Sequence, residues 1–156
     1  MQKTTILTTI PSDAHSWNLV FLQMFLEERG CRVVNLGTCV PFDVVEAACR
    51  AERPDLVVVA TTNGHGYMEG AELARRLGGL EHRPRMKLVI GGKLGIDQEQ
   101  DARYAALLQA AGYDGVFCGP AALDEFTALL EETGARGAAA PRGRLAPKEQ
   151  RWSDSG

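Results

Sequence analysis

Asp55-Leu56-Val57-Val58-Val59-Ala60 is apolar throughout after its first residue and shows no polar–apolar alternation. A strand with one wet face alternates, whereas one that does not is covered on both faces, as in the middle of a parallel sheet. Neighbouring parallel strands must be joined by segments long enough to hold a helix. Four further runs have strand character: Thr4–Ile10, Arg32–Leu36, Met86–Ile90 and Asp114–Cys118. The intervening segments switch to helical spacing. Leu19, Leu22, Met24, Phe25 and Leu26 form the first helix, closed by Gly30, and Val44, Val45, Ala47, Ala48 and Ala51 form the second, between Pro41 and Pro54. Leu73, Ala74 and Leu77 mark a third over about Met68–Leu77. Tyr104, Leu107 and Leu108 are the inward residues of a fourth, from about Glu99 to Ala111 with Gly112 as cap. Leu123, Phe126, Leu129 and Leu130 give the last, ending by Gly134.

Strand and helix thus alternate with a period of roughly 25–30 residues, the length of one βα unit. Right-handed crossovers turn that alternation into an α/β fold, a doubly wound five-stranded parallel sheet with helices on both faces. The chain length favours the flavodoxin-like order 2-1-3-4-5, whose switch point lies between the first and third strands, so ligands should touch the loops after Ile10 and after Ala60. Residues 1–134 should form this one domain. From Ala135 to Gly156 the composition turns to Gly, Ala, Pro, Arg and Ser, with Arg136, Arg142, Arg144, Lys148 and Arg151 giving a basic cast. That stretch is expected to be disordered or loosely docked.

The formal charge of −3 over 156 residues, with no basic block before residue 135, argues against a nucleic-acid partner. No apolar run has the length of a membrane span. The start, Met-Gln-Lys and then a strand, lacks an apolar leader, so a cytoplasmic protein without a secretory signal is expected. Cys31, Cys39, Cys49 and Cys118 contain no C-x-x-C pair, which fits free, partly buried thiols in a reducing compartment.

The loop after the first strand reads Ser12-Asp13-Ala14-His15-Ser16-Trp17-Asn18. A carboxylate two residues before a histidine can hold one ring nitrogen and leave the other for a metal. On these residues alone, a solvated histidine beside a helix-capping acid is the commoner arrangement. Thr61, Thr62 and Asn63 offer polar groups at the switch point, or plain turn chemistry. Gly91-Gly92 could let a flat ligand approach the backbone, or could simply form a tight turn. His65, between two glycines, is expected to be exposed without a metal role, and His82, beside Arg83, to lie at the surface. There is no G-x-G-x-x-G, no Walker P-loop and no G-x-S-x-G, which weakens dinucleotide, phosphate-loop and serine-hydrolase readings. A phosphoacceptor receiver is possible by fold, but Ala60 or Thr61 stands where its acceptor aspartate should be.

Taken together, these features resemble the cobalamin-binding domain family, whose signature is D-x-H-x-x-G after the first strand, S-x-L after the third and G-G after the fourth. The resemblance extends over about residues 3–132 and is nearest to the small subunits of glutamate (methylaspartate) mutases. It is carried by the opening Lys-Thr strand, the Ser-Asp-x-His loop, Val33-Val34-Asn35-Leu36-Gly37 and Gly64-x-Gly66. It implies adenosylcobalamin as cofactor, with the corrin across the C-terminal edge of the sheet and the displaced base in a slot beside the first helix. His15 would be the axial metal ligand and Asp13 the group holding its second nitrogen. Ser12, Ala14, Ser16 and Asn18 would belong to the same loop. Ala60, Thr61 and Thr62 would line the slot, and Gly91, Gly92, Lys93, Leu94 and Gly95 would flank the nucleotide tail.

The implied activity is an isomerase converting glutamate to 3-methylaspartate, with substrate bound on a separate large barrel subunit and no catalytic residue here beyond the cofactor ligand. The resemblance also leaves room for a homodimer of the small subunit. The alternatives are a stand-alone corrinoid carrier or sensor, a corrinoid methyl-transfer protein, and a flavodoxin-like scaffold that binds nothing. The chain departs from the signature at Asn18, where the family has glycine, at Ala60-Thr61-Thr62 in place of S-x-L, and at Cys118-Gly119-Pro120-Ala121 after the fifth strand.

Overall fold

Every residue of the central strand Leu56–Thr61 is buried, and the rest of the molecule is arranged to cover it. The computed structural model describes residues 2–15, 17–61, 66–92, 98–118 and 121–132. The expectation for the segment from Ala135 onward lies outside them, as do those for Ser16, Thr62, His65 and Lys93-Leu94-Gly95. Strands β1 (Thr4–Thr8), β2 (Arg32–Asn35), β3 (Leu56–Thr61), β4 (Lys87–Gly92) and β5 (Gly115–Phe117) alternate with helices α1 (Trp17–Glu28), α2 (Phe42–Glu52), α3 (Gly66–Leu77), α4 (Gln98–Ala111) and α5 (Ala122–Glu132). The sheet is parallel in the order β2-β1-β3-β4-β5, with Ile6 opposite Val57 and Val57 opposite Leu88. It is the flavodoxin-like arrangement that the alternation predicts.

Side chains of a strand point alternately to the two faces, and β3 divides accordingly. Val57 and Val59 meet Val45 and Cys49 of α2, Leu73 and Leu77 of α3 and Leu108 of α4. Val58 and Ala60 meet Leu19 and Leu26 of α1 and Phe126 and Leu130 of α5. On the first face Tyr113 donates a hydrogen bond of 2.8 Å to the carbonyl of Gly70, and complete burial pushes its phenol far above the usual tyrosine range. Gly70 lets the helix pack closely on β4, since a Cβ there would lie 2.7 Å from Ile90 Cδ1 and that side chain would have to move.

The helical stripes are narrower than the sequence suggests. Met24, Val44, Leu107 and Leu123 were expected inward but are exposed. Consecutive helical residues lie about 100° apart, so where Leu108 faces the sheet Leu107 cannot. The helices begin earlier than expected, α1 at Trp17 and α3 at Gly66, while β1 ends at Thr8 rather than Ile10. His82 is half-buried rather than at the surface, and its Nε2 is enclosed without a hydrogen-bond partner among the described residues. Burial and the Arg53 cation both lower its pKa.

Of the two readings of Gly91-Gly92, the tight turn is not what forms, for both lie within β4, paired with Ala60 and Thr61. Gly92 has φ +115, and a Cβ there would fall 1.9 Å from the carbonyl oxygen of Thr61. Glycine is therefore obligatory at that position. Gly92→Ala should lower the unfolding free energy by about 2 kcal/mol or more, whereas Gly79→Ala, where a Cβ meets only ordinary contacts, should stay within about 0.5 kcal/mol; urea melts of the two variants measure the contrast. All four cysteines are free, with Cys31 and Cys49 buried and Cys39 exposed. Burial pushes the Cys49 thiol up to about 11. A thiol reagent at pH 8 should therefore modify Cys39 first and reach Cys31 and Cys49 only on unfolding, which mass mapping of the labelled peptides would verify.

Candidate functional site

At the switch point the chain leaves β1 toward β2 on one side while β3 pairs with β1 on the other, so the loops at their C-terminal ends part and open a crevice. The loop after β1 is fixed from several directions. Asp13 N–H donates to the carbonyl of Ile10 at 3.1 Å, closing a turn, and Cys39 N–H donates to the carbonyl of Asp13 at 2.8 Å. The Thr9 hydroxyl donates to the carbonyl of Gly37 at 3.0 Å, which ties the same loop to the connection between β2 and α2.

Within this frame the Asp13 side chain is 1% exposed and that of His15 is 61% exposed. Asp13 Oδ1 accepts from the backbone N–H of His15 at 3.0 Å and lies 2.8 Å from its Nδ1. An ionised carboxylate only accepts hydrogen bonds, so Nδ1 carries a proton, and in the neutral ring Nε2 is then the nitrogen that holds the lone pair. The result is an imidazole of fixed tautomer and orientation presenting a basic nitrogen to solvent. Glu69, on the first turn of α3, holds the loop from the other side: its Oε1 accepts from the Ser12 N–H at 3.2 Å and also from the Ser12 hydroxyl. Nothing local in the sequence marks Glu69, which lies 57 residues from its partner.

Beside this loop, over the C-terminal halves of β3, β4 and β5, a cavity of about 200 Å³ opens between α1 and α5. Its walls include Leu22 of α1, Phe126 of α5 and Phe117 of β5, with Val58 and Val89 beneath. Phe126 packs against Phe25 and Phe117 at centroid distances of 5.9 and 5.5 Å. Ala60 and Gly91 form the floor toward the open edge. They share the face of Val58 and Val89 by strand alternation, so the space exists because neither carries a large side chain. A Cβ on Gly91 would lean on Phe117, 3.0 Å from its carbonyl oxygen.

The structure therefore gathers Ser12, Asp13, Ala14 and His15 on one loop, and Asn18, Ala60, Gly91 and Gly92 around the adjoining cavity. Thr61 departs from the expected slot lining. It falls on the opposite face from Ala60, fully buried, and its hydroxyl has no hydrogen-bond partner among the described residues. Leu22, Phe117 and Phe126 line the cavity although their sequence pattern marks them only as core, and Phe21 joins them from outside the expected stripe. Among the described residues no group of three His, Cys, Asp or Glu side chains could hold a bare metal ion. A metal meeting His15 would have to bring most of its own ligands.

Glutamate mutase sigma subunit 1 of Haloarcula marismortui is 28% identical over 134 residues, spanning 85% of this chain and 86% of that one. The glutamate mutase sigma subunit of Halobacterium salinarum is 30% identical over 116 residues, 73% of this chain and 75% of that one. Among solved structures, a cobalamin-binding protein from Desulfitobacterium hafniense superposes with a TM-score of 0.65 at 20% identity, and the Methanosarcina barkeri monomethylamine corrinoid protein with 0.64 at 22%. The matches cover 81% and 82% of this chain but 58% and 57% of those, so the chain spans a little over half their length. A response regulator from Chloroflexus aurantiacus gives 0.63 at 14% identity, so the fold alone does not separate receivers from corrinoid proteins. The sequence does: residues 3–122 match the B12 binding domain, and the chain belongs to that family.

Proposed function

We propose that this chain is the cobalamin-binding small subunit of an adenosylcobalamin-dependent carbon-skeleton mutase of the glutamate–3-methylaspartate type, acting in the cytoplasm with a separate barrel subunit. The observation that carries the reading is the buried Asp13 carboxylate fixing an exposed His15 with its Nε2 free. His15 would be the axial ligand to cobalt, with Asp13 setting its tautomer and orientation. The apolar cavity beside it suits the displaced base: an engineered apolar cavity of roughly 150 Å³ takes a benzene ring, so 200 Å³ between α1 and α5 suits a bicyclic one. Ala60 and Gly91 would leave room for that base, and the backbone at Gly92 would lie alongside the tail. Ser16, Thr62, Lys93, Leu94 and Gly95 are assigned to the same site by sequence resemblance. When bound, the cofactor supplies radical chemistry through its cobalt–carbon bond. This chain's part is to hold, orient and dry it, while substrate recognition belongs to the partner. The two haloarchaeal sigma subunits support the mutase reading.

A corrinoid-carrier reading draws support from the likeness to the monomethylamine corrinoid protein, and the two are separable by experiment. Titrated with adenosylcobalamin, the protein should give the spectrum of a cofactor whose base has left cobalt and been replaced by histidine. His15→Ala should abolish that signature, and Asp13→Asn should weaken binding by about 10- to 100-fold; an unchanged spectrum in His15→Ala would refute the ligand assignment. With a barrel subunit added, glutamate turnover that depends on this chain supports the mutase, and turnover indifferent to it refutes it.

A further inference from the structure

The cavity between α1 and α5 has one polar side chain among its described lining residues. Asn18 is that residue, and the others are aliphatic, aromatic or glycine. Asn18 is the second residue of α1, and helical side chains lean toward the N-terminus of their helix, here the edge of the sheet that carries His15. The amide is half-buried, and no hydrogen bond to another described residue engages it. An amide brings two donors and one acceptor. When an occupant fills the cavity and expels water, those groups must be satisfied by the occupant or left unpaired. That asymmetry, rather than the worth of the bond itself, gives a polar group in an apolar pocket its discriminating power.

We infer that Asn18 makes this cavity selective for a corrinoid whose lower base is a purine over one whose base is dimethylbenzimidazole. The inference rests on the corrinoid reading proposed above. The carboxamide of asparagine matches the amino and ring-nitrogen edge of adenine with two hydrogen bonds. Dimethylbenzimidazole carries methyl groups on its outer edge and would strand the amide. Both bases are flat and bicyclic, so the floor of Ala60 and Gly91 and the aromatic wall of Phe117 and Phe126 accept either, and among the described lining residues it is Asn18 that tells them apart.

The test uses the full chain without cofactor and two adenosylated corrinoids identical in upper ligand, ribose and phosphate, one with adenine and one with dimethylbenzimidazole as lower base. Spectral titration of the wild type should give an affinity about tenfold tighter for the adenine form. Asn18→Ala should bring the two within about twofold, and the isosteric Asn18→Leu should favour dimethylbenzimidazole, with unfolding midpoints of both variants unchanged since the position is half-exposed. Equal affinities in the wild type, or an Asn18→Ala that weakens both corrinoids alike, would overturn the inference and place the amide on the shared ribose or phosphate. If neither corrinoid binds, the corrinoid reading fails, and this inference with it.

Discussion

A carboxylate taken out of water must be surrounded by donors or it will not stay charged, and the Asp13 side chain is 1% exposed at the end of β1. It receives the backbone N–H and the Nδ1 of His15, both from a residue only two positions away. That economy shapes the loop. To bring both groups of His15 onto one oxygen the chain must turn back at Ile10 and Asp13, and the turn is held by Cys39 N–H on the Asp13 carbonyl and by Glu69 on Ser12. The buried charge thus recruits the β2–α2 connection and α3 to its support. What it returns is a histidine with one ring nitrogen committed and the other turned to solvent.

The sheet supplies the second half of the site by the same kind of necessity. A parallel sheet crossed from both sides brings every strand's C-terminal end to one edge, and reversal of direction at β1 and β3 opens a gap there. α1 and α5 cover one face but meet at Phe25 and Phe126, lower down. Above that contact the small residues Ala60 and Gly91 leave a space the two helices do not fill. The His15 loop and the cavity therefore adjoin because α1, which follows the loop, is also a wall of the cavity.

Much of this is legible in the chain because it is local. The unbroken apolar run of β3 dictates burial on both faces, and the spacing of the other runs dictates a doubly wound sheet. The Asp13-x-His15 spacing suffices for the carboxylate–imidazole bond, which depends on two residues in one turn. What the sequence conceals is non-local. Glu69 reaches Ser12 across 57 residues, and no periodicity marks it. Phe117 and Phe126 look like core residues because they are core residues, with one side left uncovered. Thr61 and Ala60 are adjacent in sequence, yet strand alternation assigns them to opposite faces, which a motif aligned as a string does not register.

The central claim is that the Nε2 lone pair left free by Asp13 is the one that meets the metal. Electron paramagnetic resonance of the cobalt(II) form, prepared with protein grown on 15N-histidine, reports the coordinating nucleus directly. A protein imidazole on the axial position predicts that each line of the nitrogen superhyperfine pattern changes from a triplet to a doublet on labelling, and that the doublet vanishes in His15→Ala. A triplet that persists in the labelled protein would mean that cobalt keeps the cofactor's own base, and would contradict the account.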